Sequence, residues 1–197
     1  METFNQTLFL WVNASQPGPG ALWLGRFLAN GLVWLFPLYV VASWLRATAP
    51  GRDALLQGVL AACVAMGLSW LIGQVWFHPR PFMIGLGIQH LPHKPTASFP
   101  SNHLSFIWAL CAGMALHPVR RRVAAWLALL GLIVAWARVW MGIHFPLDMA
   151  GAAAVGLLAA TITAPLRTRW VPAMRRLMEP LYRRLFAWPI QQGWVKS

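Results

Sequence analysis

Long apolar segments separated by short polar clusters dominate this sequence of 197 residues, and they limit what it can fold into. A chain crosses the bilayer core as a helix where about 20 apolar residues follow one another, because lipid leaves no water to satisfy the backbone polar groups. The hydrophobic fraction of 58% is too high for an ordinary water-soluble domain. We therefore predict an all-α fold, a polytopic bundle of helices integral to a membrane.

Five segments have the composition of membrane spans. The third is short for a bilayer, and we expect it to begin below the membrane surface, inside the bundle. The fifth is rich in Ala and Gly, as close packing between helices in lipid favours. The predicted spans are residues 27–45, 54–77, 103–116, 123–140 and 145–166.

The two ends of the chain differ from these spans. Residues 4–13 form an apolar stretch too short to cross a bilayer, so we expect residues 1–20 to be an interfacial segment. Residues 167–197 form a basic tail in which Met174, Leu177, Leu181 and Leu185 are interleaved, a pattern that predicts a helix on the membrane surface. We treat residues 1–197 as a single membrane-embedded domain.

The net charge of +12 is unevenly distributed along the chain. Twelve of the 16 basic residues lie in the tail and in the loops after the first and third spans, which the positive-inside rule assigns to the cytoplasm. This distribution favours an orientation signal over a nucleic-acid-binding surface, and we expect no nucleic acid partner. The remaining basic residues lie on the opposite, outer face: Arg26, Arg80, Lys94 and Arg138.

Three polar clusters interrupt the apolar sequence, and all of them fall on that predicted outer face. Asp148 is the only one of the four acidic residues inside an apolar segment. Ionisable groups at membrane depth are costly, so they are functional candidates by default. The clusters are Arg80-Pro81, then Pro100-Ser101-Asn102-His103, then Arg138 with His144 and Asp148.

The third cluster has the residue types of an activated nucleophile. His144 and Asp148 are four residues apart, so on a helix they share one face. A neighbouring carboxylate fixes the imidazole tautomer and prepares one ring nitrogen to attack. A short turn at Met141-Gly142 would bring the guanidinium of Arg138, which matches phosphate oxygens in a bidentate manner, to the same point.

The first and second clusters supply groups that favour an anion. Ser101 or Asn102 is a natural N-cap, and the free N–H groups of the helix that follows attract negative charge. His103 could protonate a leaving oxygen, and Arg80 lies on a stiff loop between two prolines. Each feature alone has a structural interpretation, as a helix cap, a snorkelling arginine or a structural hydrogen bond. Their combination on one face favours phosphate chemistry.

A metal site is a weaker interpretation of the remaining histidines. His78, His90 and His93 lie close in sequence, but no cysteine or carboxylate accompanies them. Lys94 is either a solvated loop charge, which is the favoured interpretation, or a residue that assists substrate binding. Cys63 and Cys111 lie inside apolar segments as inert thiols. We expect neither a metal nor another cofactor.

The three clusters resemble the motifs of the type 2 phosphatidic acid phosphatase (PAP2) superfamily, which are K-x6-R-P, P-S-G-H and S-R-x5-H-x3-D. The resemblance covers residues 74–156, and residues 98–103 and 142–148 are most similar to its bacterial undecaprenyl-diphosphatase branch. Three positions depart from the pattern, where Gly73 replaces Lys, Asn102 replaces Gly and Ala137 replaces Ser.

The resemblance implies a bundle of five to six transmembrane helices and hydrolysis of a phosphate ester or anhydride without a metal. It implies that His144 attacks the terminal phosphorus and forms a phosphohistidine, that Asp148 orients it, and that His103 protonates the leaving group. The implied ligands of the phosphoryl oxygens are Arg80, Arg138, Ser101 and the backbone N–H of Asn102.

The substrate implied by this branch is undecaprenyl pyrophosphate, hydrolysed in the bacterial inner membrane by a site that faces the periplasm. This reaction would recycle the lipid carrier of cell-wall synthesis. Phosphatidic acid, phosphatidylglycerophosphate and lipid A are alternative substrates. A small transporter using Arg80, Arg138 and Asp148 as a relay is less favoured, because these groups lie at one face. A scaffold that binds anionic lipid through its tail leaves His144 and Asp148 unexplained.

The charge distribution predicts the orientation of the chain. A single cysteine introduced near Lys94 should react with an impermeant thiol reagent in intact spheroplasts, because that loop is expected to lie outside. A cysteine near Arg121 should react only after the membrane is opened. The reverse labelling pattern would contradict the predicted topology.

Overall fold

The computed structural model describes residues 1–196, and this part of the chain consists of helices and connecting loops without a β-strand. The prediction of an all-α fold is confirmed. In chain order the helices are α1 Glu2–Val12, α2 Pro19–Arg26, α3 Leu35–Arg46, α4 Ala49–Val75, α5 Asn102–Ala115, α6 Arg121–Trp140, α7 Pro146–Thr163, α8 Trp170–Leu185 and α9 Ala187–Gln191.

Four helical segments of the described chain are long and apolar enough to cross a membrane: Pro19–Arg46, Ala49–Val75, Pro118–Trp140 and Pro146–Arg167. Each corresponds to one of the predicted spans. The remaining predicted span is α5, which has 14 residues. At 1.5 Å per residue its length is about 21 Å, less than the roughly 30 Å of a hydrocarbon core. The count of five to six spans stays a prediction.

α5 is the central helix of the bundle, packed against α4, α6 and α7. Leu104, Ile107 and Leu110 are completely buried in this core. Gly58 on α4 and Gly113 on α5 allow the two backbones to approach, because an added Cβ at either position would lie 2.7 Å from a backbone carbonyl oxygen. Small residues let helices pack closely where lipid gives no hydrophobic driving force between them.

The first span is longer and less regular than the sequence predicts. It begins at Pro19 rather than at residue 27, and a π-helical turn at Phe27–Gly31 connects α2 to α3 through a short 3-10 turn. A π turn changes the hydrogen-bonding register of the backbone and is frequent at functional sites. Here it presents the carbonyl of Ala29 toward α6, where a buried arginine uses it.

The basic tail forms α8, which is helical as predicted and is fixed to the bundle by ion pairs that include the buried Arg52. Arg175 Nε donates to Asp53 Oδ1 at 2.7 Å, and its NH1 donates to Glu179 Oε1 at 2.8 Å. Arg52, which is only 1% exposed, has its NH1 3.6 Å from the same Glu179 oxygen. The apolar side chains of α8 are exposed on another face, including Leu177, Leu181 and Leu185.

Replacing Glu179 with Gln should therefore lower the thermal stability of the protein. Arg52 would keep its contacts to the carbonyls of Trp44 and Lys196 but lose its carboxylate. We expect a loss of about 1–2 kcal/mol, or several degrees in Tm, because removing one partner of a buried ion pair leaves the other uncompensated. Arg184→Gln, on the exposed face of α8, is the matched control and should leave Tm unchanged in detergent.

Candidate active site

His144 and Asp148 form a buried pair at the start of α7. Phe145 is the N-cap and Pro146 the first helical residue, in agreement with the predicted helix start. His144 Nδ1 lies 3.0 Å from Asp148 Oδ2, and both side chains are 1% exposed. Hydrogen bonding to the carboxylate holds the imidazole with its proton on Nδ1, which leaves the lone pair on Nε2.

One oxygen of Asp148 accepts three hydrogen bonds. Besides His144 Nδ1, Oδ2 accepts the hydroxyl of Ser98 at 2.5 Å and the backbone N–H of Phe145 at 2.8 Å. The contact to Phe145 belongs to a capping box, in which the carboxylate of the third helical residue accepts the backbone N–H of the N-cap residue. The helix dipole also favours negative charge at this position. Ser98 is not among the predicted site residues, although it lies in the stretch 98–103 that resembles the family motif.

Arg80 lies against the same pair, as the sequence predicts, but its donors are engaged by the protein. Its Nε and NH2 groups donate to the carbonyls of Thr96 and Ala97, and NH1 donates to the carbonyl of Ile143 at 2.8 Å. NH1 also lies 3.0 Å from His144 Nε2. Burial lowers the pKa of Arg80 to about 10, against the raising effect of the nearby carboxylate, so the guanidinium is still charged at neutral pH.

Arg138 reaches the site from the last turn of α6 and keeps one edge free. Its NH1 donates to the carbonyl of Ala29 at 2.9 Å and to Asn30 Oδ1 at 3.1 Å, both on the π turn of the first span. Its Nε is buried and has no partner among residues 1–196. The chain then turns at Gly142, whose φ of +79° suits glycine. An arginine edge held in this way can bind two oxygens of an anion.

The start of α5 provides further donors. Ser101 is the N-cap residue, but its side chain makes no capping hydrogen bond. Its Oγ is buried and has no partner within the described residues, which is unusual for a hydroxyl group. Asn102 follows at an exposed position and His103 at a half-buried one. The first N–H groups of a helix have no partner inside it, so this terminus favours an anion.

The electrostatics of the site favour a neutral, nucleophilic His144. Burial lowers the pKa of His144 well below its ordinary value, and the positive charges of Arg138 and Arg80 lower it further. The imidazole is therefore unprotonated at Nε2 at neutral pH. Nε2 accepts a hydrogen bond from Arg80 NH1 at 3.0 Å, so a phosphate oxygen that binds Arg80 would lie directly beside the nucleophile.

The three histidines considered for a metal site do not form one. Within residues 1–196 no group of three or more His, Cys, Asp or Glu side chains is arranged to hold a metal ion. His78 Nε2 lies 3.4 Å from Glu2, and His90 Nε2 is bonded to the carbonyl of Ala14. His93 instead packs near His144, with 6.3 Å between the ring centroids.

The N-terminal helix α1 also supports the site, a role that the sequence does not predict. Asn5, which is only 2% exposed, accepts the backbone N–H of Leu147 in the first turn of α7 at 3.1 Å. Phe9 packs edge-on against Phe145 with a centroid distance of 5.4 Å. α1 therefore fixes the segment that carries His144, in addition to any contact with the membrane surface.

An apolar groove borders the start of α5 at Asn102 and His103. It has a volume of about 240 Å³ and is lined by Val33, Met66, Asn102, His103 and Phe106. The groove therefore connects the first span, α4 and the start of α5. Asn102 also lines a second cavity of about 590 Å³, which includes Gly73 and Gln74.

Comparisons with known proteins agree with the motif resemblance. A family model described as the PAP2 superfamily matches residues 54–172. The chain is 31% identical over 199 residues to YbjG of Escherichia coli (strain K12), which is provisionally named an undecaprenyl-diphosphatase, with 100% of each chain covered. It is 27% identical over 171 residues to the undecaprenyl-diphosphatase BcrC of Bacillus subtilis (strain 168), covering 85% of this chain and 87% of that one.

A solved structure has the same fold. The crystal structure of LpxE from Aquifex aeolicus superposes with a TM-score of 0.67 at 22% sequence identity. The match covers 82% of this chain and 95% of the other. At this identity the likeness concerns the helical architecture.

The role of Ser98 can be tested by Ser98→Ala. Loss of a hydrogen bond to a charged group costs about 1.5–3 kcal/mol, so we expect kcat for phosphate release to fall tenfold or more while KM changes little. Ser105→Ala is the matched control, because Ser105 is also buried and its hydroxyl has no partner in the described chain. Equal activities of the two variants would exclude a contribution of Ser98 through Asp148.

Proposed function

The chain belongs to the PAP2 superfamily, and on that basis we propose that it hydrolyses undecaprenyl pyrophosphate to undecaprenyl phosphate and inorganic phosphate. The chain is a multi-pass membrane protein, and the family and fold support a membrane lipid phosphatase. The choice of substrate rests on the names of the relatives YbjG and BcrC, which match the chain over most of its length.

The observation that carries this proposal is the environment of His144 Nε2. The opposite ring nitrogen is bonded to Asp148, while Nε2 faces Arg80. A nucleophile is effective when an adjacent group orients it and its lone pair is free, so a phosphoryl oxygen must take over the hydrogen bond that Arg80 NH1 donates to Nε2. A phosphoryl group attracted by the arginines would bring its phosphorus to this nitrogen.

In the first step, the lone pair of His144 Nε2 forms a bond to the terminal phosphorus. The bond from phosphorus to the bridging oxygen breaks, and its electron pair leaves with the lipid monophosphate. His103 donates a proton to that oxygen as the general acid. The ring of His144 becomes positively charged in the phosphohistidine, and the carboxylate of Asp148 stabilises this charge.

In the second step, water attacks the phosphorus of the phosphohistidine. His103, which has lost its proton, accepts a proton from this water as the general base. The nitrogen–phosphorus bond then breaks, its electron pair returns to His144, and inorganic phosphate is released. The two steps leave both histidines in their starting protonation states.

The negative charge that develops on the phosphoryl oxygens requires fixed donors. The free edge of Arg138, the unpartnered hydroxyl of Ser101 and the backbone N–H of Asn102 supply them in the proposed complex. Arg80 supplies charge and the NH1 donor beside His144. Preorganised donors of this kind are a large term in catalysis, because they need no reorganisation as charge develops.

The apolar groove beside His103 suits a lipid substrate. Its side chains from Val33, Met66 and Phe106 are apolar, and His103, the proposed acid, also lines it. A lipid could keep its chain in the bilayer while its phosphate enters the site. Because such a groove accepts many lipids, phosphatidic acid, phosphatidylglycerophosphate and lipid A are the alternative substrates.

We also propose that the enzyme lies in the bacterial inner membrane with its site facing the periplasm, and that it requires no metal or other cofactor. The orientation rests on the charge distribution along the chain. The metal independence rests on a donor set of arginines, histidines and one carboxylate, which is a poor cage for a hard cation. A transporter remains the less favoured alternative, since the buried Gln57 is bonded to Thr163 rather than open to a path.

The direct test is release of phosphate from C55-pyrophosphate by the detergent-purified protein with EDTA present. We expect full activity in the chelator and no increase with zinc or magnesium. Parallel assays with phosphatidic acid, phosphatidylglycerophosphate and phosphorylated lipid A rank the substrates by kcat/KM. A higher kcat/KM for one of these would replace the proposed substrate, and strict metal dependence would contradict the proposed chemistry.

His144→Ala should abolish phosphate release, because the loss of an attacking group costs several powers of ten in rate. Brief acid-free quenching with ³²P-labelled substrate should trap a phosphoprotein in the wild type and none in this variant. His117→Ala, at the opposite end of α5, should remain active. Retention of more than about a tenth of the activity by His144→Ala would exclude it as the nucleophile.

A further inference from the structure

A third imidazole lies beside the two histidines of the proposed mechanism. His93 belongs to the loop between α4 and α5, and its ring stands nearly perpendicular to that of His144 at a centroid distance of 6.3 Å, with an interplanar angle of 72°. A protonated His93 would repel a positive charge on His103 as well as on His144. His93 therefore lies beside the ring of His144, the proposed nucleophile.

The loop fixes one nitrogen of this ring and leaves the other available. His93 Nδ1 lies 2.9 Å from the carbonyl oxygen of Lys94, to which it donates. Nε2 makes no hydrogen bond within residues 1–196, and the residue is half-buried. A proton added at Nε2 would convert the ring into a cation with a donor directed away from its own backbone contact.

The site otherwise has fewer free cationic donors than its family motif provides. Position 73, where the motif has lysine, is Gly73. The guanidinium of Arg80 is engaged by the carbonyls of Ile143, Thr96 and Ala97. Lys94 is exposed at the surface of the loop. Of the two buried arginines of the site, Arg138 is therefore the one that has an N–H group without a partner among the described residues.

We propose that His93 is a substrate-binding residue that contacts the non-bridging phosphate oxygens of a lipid diphosphate and replaces the lysine missing at position 73. The inference rests on the proposed function, since it assigns a ligand to the same site. A diphosphate presents more negative charge than a monophosphate ester and gains more from an additional imidazolium. His93 would therefore favour diphosphate substrates over monophosphates.

The protonation of His93 gives the proposal a pH signature. Burial lowers the pKa of the free side chain, and the positive charges of Arg80 and Arg138 lower it further, against the hydrogen bond to the Lys94 carbonyl. His103 and His144 are the other titratable groups that face it. A bound phosphate favours the charged imidazolium and raises this pKa. Binding then takes up a proton, so the affinity falls as pH rises through the pKa of the complex.

The test compares His93→Gln with Lys94→Gln, which removes the neighbouring exposed cation and should behave as the wild type. Two quantities are measured in detergent: the dissociation constant of inorganic phosphate by calorimetry at pH 6.0 and 8.0, and KM and kcat for C55-pyrophosphate and phosphatidic acid. We expect His93→Gln to weaken phosphate binding about tenfold at pH 6.0 and much less at pH 8.0. Its KM for the diphosphate should rise about tenfold, with a smaller effect on phosphatidic acid.

His93→Lys tests whether positive charge is what matters. It should bind phosphate with an affinity within about threefold of the wild type. The part of the change in affinity between the two pH values that comes from the titration of His93 should be absent, because lysine stays charged. The proposal is overturned if His93→Gln matches Lys94→Gln in both measurements, or if His93→Lys binds phosphate as weakly as His93→Gln. If the wild type binds phosphate but hydrolyses no C55-pyrophosphate, the proposed substrate is wrong, while the binding data still decide the role of His93.

Discussion

The three hydrogen bonds accepted by Asp148 Oδ2 hold the site together. Their donors come from the loop before α5, from His144 and from the N-cap of α7, so one buried oxygen joins segments that are far apart in sequence. A carboxylate that is 1% exposed is stable as an anion only with such partners. The same bonds that stabilise the charge therefore fix the imidazole tautomer and the start of α7.

The two arginines beside this carboxylate differ in how their N–H groups are used. Arg80 is bonded to backbone carbonyls of two loops and so stabilises the loops that surround His144. Arg138 is held along one edge by the π turn of the first span, and its Nε remains without a partner in the described residues. Arg80 thus mainly stabilises the surrounding loops and contributes positive charge, whereas Arg138 has the geometry of a ligand-binding group.

Sequence reasoning was sufficient for the residues whose partners lie within a few positions. The four-residue spacing of His144 and Asp148 predicts their contact, although His144 precedes the N-cap of α7 and the pair does not share a helix face. The turn at Gly142 follows from local backbone preference. Ser98 and Asn5 could not be predicted, because their partners lie 50 and 142 residues away and only the packed bundle brings them together.

The positions of the long helices likewise follow from the local sequence, whereas the contacts between helices do not. Hydropathy locates the long spans, because a segment that crosses lipid needs apolar side chains and a helix that satisfies its own backbone polar groups. It does not reveal that α1 packs on the start of α7, or that α8 is fixed by Arg52 and Arg175. Those contacts depend on charges and aromatic rings whose partners are set by the fold of the remaining chain.

The two ends of the bundle differ in how the charges that are buried or partly buried there are balanced. Beneath α8, Arg52 and Arg175 face Asp53 and Glu179, so two cations meet two carboxylates. At the other end, the buried Arg80 and Arg138 have only the carboxylate of Asp148 nearby, and its hydrogen bonds go to Ser98, His144 and Phe145 rather than to either arginine, which leaves an excess of positive charge. An uncompensated buried cation is costly unless a ligand supplies the missing anion. The excess charge is therefore best explained by an anionic substrate, and a phosphate group has the charge and the oxygen geometry to balance it.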